Sequence, residues 1–187
     1  IGTGHAAIET YTTANGTNSI TLGAAGQNVT GGSGNDTVAF SADTAYTGTI
    51  ALAAGTNVIT LASESDIGGA TVTATDGTIN FTIASGTSVT MDDATHDLLV
   101  AGTLTAGGTE TITISDAATI TTDTLIENYS VAEGAAVTLG TTSGSLAQVI
   151  TETGNDGTVS TFTLGAGTYT GDWVGIDATD VVEVVDG

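Results

Sequence analysis

The sequence predicts an all-β fold, a parallel β-solenoid or β-roll with degenerate coils of about 25 residues. Three observations carry this expectation. An apolar-Thr-apolar triplet recurs at Ile20–Leu22, Ile59–Leu61, Val89–Met91, Ile112–Ile114, Val137–Leu139 and Phe162–Leu164, with first members 39, 30, 23, 25 and 25 residues apart. A longer segment, Gly16-Thr17-Asn18-Ser19-Ile20-Thr21-Leu22, returns as Gly55-Thr56-Asn57-Val58-Ile59-Thr60-Leu61, and each copy runs on to a Gly-Gly pair, Gly31-Gly32 or Gly68-Gly69. Finally, the chain has 27 Gly and no Pro, is rich in Thr, Val and Ile, and is only 4% aromatic. Repetition of this kind marks units that cannot bury an apolar face alone and must stack on their neighbours. A Pro-free chain lets nearly every backbone N–H join a ladder.

Taken in order, Ile8 to Leu22 reads as a strand, a turn at Ala14-Asn15-Gly16-Thr17 and a second strand, since Asn-Gly is a strong turn signal. In each triplet the outer residues face a core, and the Thr between them faces solvent or a Thr ladder. Irregular early spacing leaves longer loops between Ala39 and Ile50 and between Ser63 and Val72. No helix of useful length is expected. An immunoglobulin-like β-sandwich is the alternative architecture, because short strands at regular intervals also describe it.

The segment Gly31 to Ala39, Gly-Gly-Ser-Gly-Asn-Asp-Thr-Val-Ala, matches the nonapeptide G-G-x-G-x-D-x-U-x at every fixed position. It resembles the RTX-type calcium-binding repeats of bacterial adhesins, surface layers and secreted toxins. The resemblance implies an extracellular β-roll in which Gly31, Gly32, Gly34, Asn35 and Asp36 build a calcium loop, and it implies export without an N-terminal signal. Read as an ordinary sequence, the same Gly-Asn-Asp run is a turn between strands. A soft division near Gly48 separates an RTX-like calcium-loop region, residues 1–48, from a Thr/Gly-rich solenoid, residues 49–187, continuous with it.

Charge narrows the function. The chain has no Lys or Arg and 21 Asp plus Glu, a formal charge of −21, so no ordinary salt bridge can form. Carboxylates must be solvated, accept neutral hydrogen bonds or be neutralised by a cation. Nucleic acid is excluded as a partner by the lack of basic groups, and so is attraction to an anionic membrane. No apolar run is long enough to span a bilayer, and direct membrane insertion is not expected. With 40% hydrophobic residues and a mean hydropathy of +0.27, the chain reads as folded rather than disordered. Cysteine is absent, so metal ions or stacking must serve as the staple. The first residues, Ile-Gly-Thr-Gly-His, carry no initiator Met and no signal pattern, as expected of a processed product or a section of something longer.

Two further loops offer oxygen donors for calcium. Asp92, Asp93 and Asp97 surround His96 within seven residues, a pattern that also suits a solvated loop. Glu152-Thr-Gly-Asn-Asp156-Gly repeats the Gly-Asn-Asp core and places Asp156, with Glu152, as donors or as a simple turn. His5 reads as a surface residue. Near the C-terminus Asp172, Asp177, Asp180, Glu183 and Asp186 punctuate an apolar run, Val181 to Val185, that caps the solenoid or pairs with another subunit. No Gly-x-Ser-x-Gly elbow or His-Glu-x-x-His helix is present, and no catalytic residue is assigned. The expected function is a secreted or cell-surface, non-enzymatic structural module. It is stabilised by calcium and assembles with copies of itself into a surface layer, adhesin stalk or filament. The alternatives are a calcium-binding accessory domain of a secreted enzyme or toxin and, on the strength of the Thr arrays, an ice-binding surface.

Overall fold

Alternating apolar and hydroxyl residues make short strands with one buried side, and such strands are stable only when stacked. The computed structural model describes residues 9–116, 118–139, 145–154, 157–165 and 168–185. Every strand pair among them is parallel. This is a β-solenoid. An immunoglobulin-like sandwich is ruled out, because its sheets are antiparallel.

The chain visits three faces in turn. The first holds Asn18–Leu22, Asp36–Phe40, Gly55–Leu61, Gly77–Ile83 and Leu104–Thr105. A second face begins with Thr10–Thr12, Asn28–Thr30, Thr49–Leu52 and Thr71–Ala74. On the third lie Ser65–Asp66, Ser88–Met91, Thr111–Ile114, Asn128–Ala132, Val149–Thr153 and Trp173–Val174. The two stretches expected to be long loops are where this third face starts: Ala45 bridges to Asp66, and Tyr46 and Ile67 are buried.

Register gives the coil length directly. On the first face Ile20, Val38, Ile59, Phe81 and Leu104 are stacked partners, at steps of 18, 21, 22 and 23 residues. The shortest step is 17, from Ile112 to Tyr129, and the longest 25, from Val137 to Phe162. Coils therefore centre near 21 residues rather than the expected 25. The triplets misled because they sit on three different faces. The 39-residue interval is two coils of the first face, and the 30-residue interval adds a change of face to one coil.

Inward residues form a continuous core of Ile, Val, Leu and Phe from neighbouring coils. Burial of each contributes about 1.5–3 kcal/mol. Outward positions form rows in register, such as Ser19, Thr37, Val58 and Asn80, and Thr21, Ala39, Thr60 and Thr82. Neither row carries a charge. Stacked neighbours lie about 4.8 Å apart, where like charges oppose one another, and so acids are kept out of these two rows. Asp43, Glu64 and Asp76 sit at corners with φ of 56, 59 and 59°.

One expectation fails outright: there is a helix. Residues Asp93–Ala101 form α1, which packs on Gly77–Ile83, Thr119–Thr121 and Thr71–Ala74. It takes the place of a strand on the second face, which resumes as Thr119–Thr121, Ala136–Thr138, Thr161–Leu164 and Val181–Val184. Asp92 is the N-cap, its Oδ1 accepting the Thr95 N–H at 3.0 Å, and Asp93 adds negative charge to the first turn. Gly102 ends the helix, its N–H reaching the Leu98 carbonyl. The run between these caps contains no Gly and turns Thr95, His96 and Leu99 inward.

Candidate functional site

The nonapeptide loop forms a corner followed by the strand Asp36–Phe40, and its register explains its residues. Asn18 pairs with Asp36, and Asp36 stacks beneath Asn57, so one inward polar position is occupied in three successive coils. Asp36 is 2% exposed. Its Oδ1 accepts from the Asn18 N–H at 3.1 Å and the Asn18 Nδ2 at 2.8 Å, while Oδ2 accepts from the Thr13 hydroxyl at 3.1 Å. The Asp36 N–H donates to Asn57 Oδ1 at 3.0 Å, and Asn57 Nδ2 donates to the Ala53 carbonyl at 3.0 Å. Neutral donors thus hold a buried carboxylate without any cationic side chain.

The glycines answer to the same stacking. Gly16, Gly34 and Gly55 lie over one another with φ of 106, 128 and 122°. A Cβ on Gly34 would lie 2.5 Å from the Gly16 carbonyl oxygen, and one on Gly32 would lie 2.5 Å from that of Ala14. At Gly31 it would meet Asp36 Oδ2 and the Leu52 Cα, each at 3.1 Å. Asn35, exposed, accepts the Thr56 N–H at 2.9 Å.

These residues do not fit a calcium ligand set as they are placed. Calcium takes six to eight oxygen ligands, whereas the Asp36 oxygens are faced by N–H and O–H donors and the Gly31 backbone. Among the described residues, no group of three or more His, Cys, Asp and Glu side chains is arranged to hold a metal ion.

The second predicted cluster is rearranged by α1. Asp92 is occupied in capping, Asp97 is exposed, and His96 turns away from both into the core. Asp116, distant from this cluster in sequence, joins it by accepting the Asp93 N–H at 2.9 Å. Burial, and then Asp97, Asp116 and Asp92, push the Asp93 carboxyl above its ordinary range; its Oδ1 is buried without a hydrogen-bond partner. His96 Nε2 lies 3.2 Å from the Tyr129 hydroxyl, which accepts the Asp123 N–H at 2.7 Å. Burial lowers its pKa to about 4, so the ring is neutral near pH 7. Asp156 lies outside the described residues.

Two carboxyl pairs went unnoticed in the sequence. Glu110 and Glu127 each stand one residue before a third-face strand, and the pairing of Thr111 with Asn128 stacks them. Burial, and then Glu127, push the Glu110 carboxyl up. Glu152, buried, accepts the Ser160 hydroxyl at Oε1 and lies beside Asp180; burial, Asp180 and Glu133 hold it up. Asp180 is held down by the backbone N–H groups of Ser160 and Asp177. The signal that could have revealed them is phase: an acid immediately before a strand's first outward residue, as at Glu110, Glu127 and Asp180, or two residues after an inward one, as at Glu152 after Ile150, points inward.

No helix among the described residues is long and apolar enough to cross a membrane. Comparison with protein-family models, curated proteins and solved structures finds no match.

Proposed function

We propose that this chain is a non-catalytic structural module of an extracellular assembly, such as a surface layer, adhesin stalk or filament, in which the exposed apolar strand Val181–Val184 is covered by a coil of another copy. One observation carries the reading. Val182 is in register with Phe162, Val137 and Ile120, all core positions, yet it is 50% exposed while Phe162 is fully buried. Beside it Val184 is 71% exposed, and Val181–Val184 is the outermost strand of its sheet among the described residues. An apolar end of this kind invites another coil.

Charge favours a head-to-tail junction. Asp172, Asp177, Asp180 and Glu183 crowd the last described coil, so two such faces repel, whereas Glu9 is the one acid among the described residues of the first. Parallel pairing also requires the added strand to run the same way, and among the described residues Thr10–Thr12 forms the opposite edge of the second face. Heterologous contacts of this type do not close, and they generate fibres. Calcium belongs in this reading as a counter-ion for the acidic end, not as a ligand of Asp36. Placement outside the cell rests on composition: without Lys or Arg the chain has no site for trypsin-like proteases.

The test is sedimentation over a range of concentrations with calcium in excess. Wild-type chain is expected to form larger species as concentration rises, and the V182D/V184D variant to remain monomeric with an unchanged strand signal. A wild-type monomer at every concentration sinks the proposal.

A further inference from the structure

Among the described residues two acids, Asp93 and Glu110, have a buried oxygen without a hydrogen-bond partner, and of the two only Glu110 is wholly buried. It is 0% exposed. Its Oε1 accepts the Gly107 N–H at 3.2 Å, and its own N–H donates to Glu127 Oε2 at 3.1 Å. Its Oε2 is buried with no hydrogen-bond partner. The positions stacked on either side of the pair donate no hydrogen bond to that oxygen. Thr87 lies on one side and Gln148 on the other, by the register of Ser88 with Thr111 and of Asn128 with Val149. The Gln148 amide donates to the carbonyls of Asp123 and Ile126, at 2.6 and 2.7 Å. No cationic side chain exists except histidine, and His96 is neutral in the core. A proton is the donor that this pair lacks.

We propose that Glu110 and Glu127 form a proton-sharing carboxyl pair, an acid-set lock that joins two consecutive coils more tightly when its proton is bound. With the proton on Glu110, its orphaned oxygen becomes an O–H donor to the Glu127 carboxylate, and like-charge repulsion in a buried site is removed. The titratable group facing Glu110 is Glu127, and Thr87 and Gln148 are uncharged. Glu152 and Asp180, with Glu133 nearby, form a second carboxyl pair on the later coils, Glu152 held up and Asp180 held down.

The sign follows from linkage. A carboxyl whose folded pKa is raised binds its proton more tightly in the fold, so its stabilisation is complete below about pH 4.3, the ordinary Glu value. It is lost as pH rises through the folded pKa. His96 works the other way, because its depressed pKa costs stability as pH falls from 6.5 to about 4. Glu110 must therefore be read as a difference between variants.

The test is a carboxyl-carbon NMR titration of the whole chain, with thermal unfolding of wild type and E110Q from neutral pH to about pH 4. Unfolding is run in about 1 M NaCl, where the Debye length is about 3 Å and surface repulsion is screened. Two glutamate carboxyls, those of Glu110 and Glu152, are expected to titrate above the ordinary range, and the first to vanish in E110Q, whose amide supplies the missing donor at every pH. The Tm of wild type is expected to rise relative to that of E110Q on acidification. If E110Q does not fold, E127Q serves the same comparison. Glutamates that all titrate normally, or Tm curves that stay parallel, overturn the proposal. So does a wild type that calcium at neutral pH stabilises as fully as acid does, since a cation would then bridge the pair.

Discussion

Asp36 separates two meanings of one motif. As a ligand its charge is essential, whereas in the Asn18, Asp36, Asn57 stack its oxygens matter and its charge does not. Asp36→Asn keeps an acceptor for Asn18 and places an amide donor near Thr13 Oγ1, which already accepts the Gly32 N–H. Chemical denaturation in chelator should show D36N within about 1 kcal/mol of wild type. Asp36→Ala strands the Thr13 and Asn18 donors, and buried unsatisfied groups cost about 1–3 kcal/mol each, so a loss of roughly 3 kcal/mol or more is expected. Equal losses in both variants would show that the charge itself is needed and would restore a cation at this corner. The motif was legible as residues but not as chemistry, because a nonapeptide does not state which coil lies above and below it. Gly34 to Phe40 is a middle copy of the repeat read at Gly16 and Gly55, hidden by Asn-Asp where the others have Thr-Asn.

At the scale of elements, alternation was legible and interruption was not. Thr between apolar residues identifies a strand wherever it occurs, and the inward and outward sides of all six triplets follow from it. Helix α1 escaped because its acids read as oxygen donors, although Asp92, the Gly-free run after it and Gly102 together mark start and stop. Glu110 and Glu127 escaped for a related reason: a side chain's direction at a corner depends on strand phase, which is fixed only once the coils are in register. If Asp92 is chiefly a cap, Asp92→Ala should destabilise the chain by about 1 kcal/mol. Hydrogen exchange should then speed up at the amides of Thr95 and His96 while the strand Gly77–Ile83 stays protected. Faster exchange throughout that strand would mean that α1 supports the stack rather than decorating it.

For the whole molecule, the puzzle of a chain at −21 is where the charge resides. The first face keeps it out of its outward rows, and much of it collects at corners, at the N-terminus of α1 and at the last described coil. Fold and charge are therefore separable: the apolar stack and its Thr rows hold the solenoid, and the corners determine how strongly neighbouring coils and copies repel. At physiological ionic strength the Debye length is about 8 Å, longer than the spacing of stacked coils, so repulsion between successive corners survives. Raising NaCl toward about 1 M shortens it to about 3 Å. Thermal stability should climb with NaCl, and calcium at matched ionic strength should add little, with strand circular dichroism complete in chelator. A transition to strand that calcium produces and NaCl does not would reverse the order of causes, making specific ion binding a condition for the fold rather than a modest aid to a stack already formed by hydrogen bonds and apolar contacts.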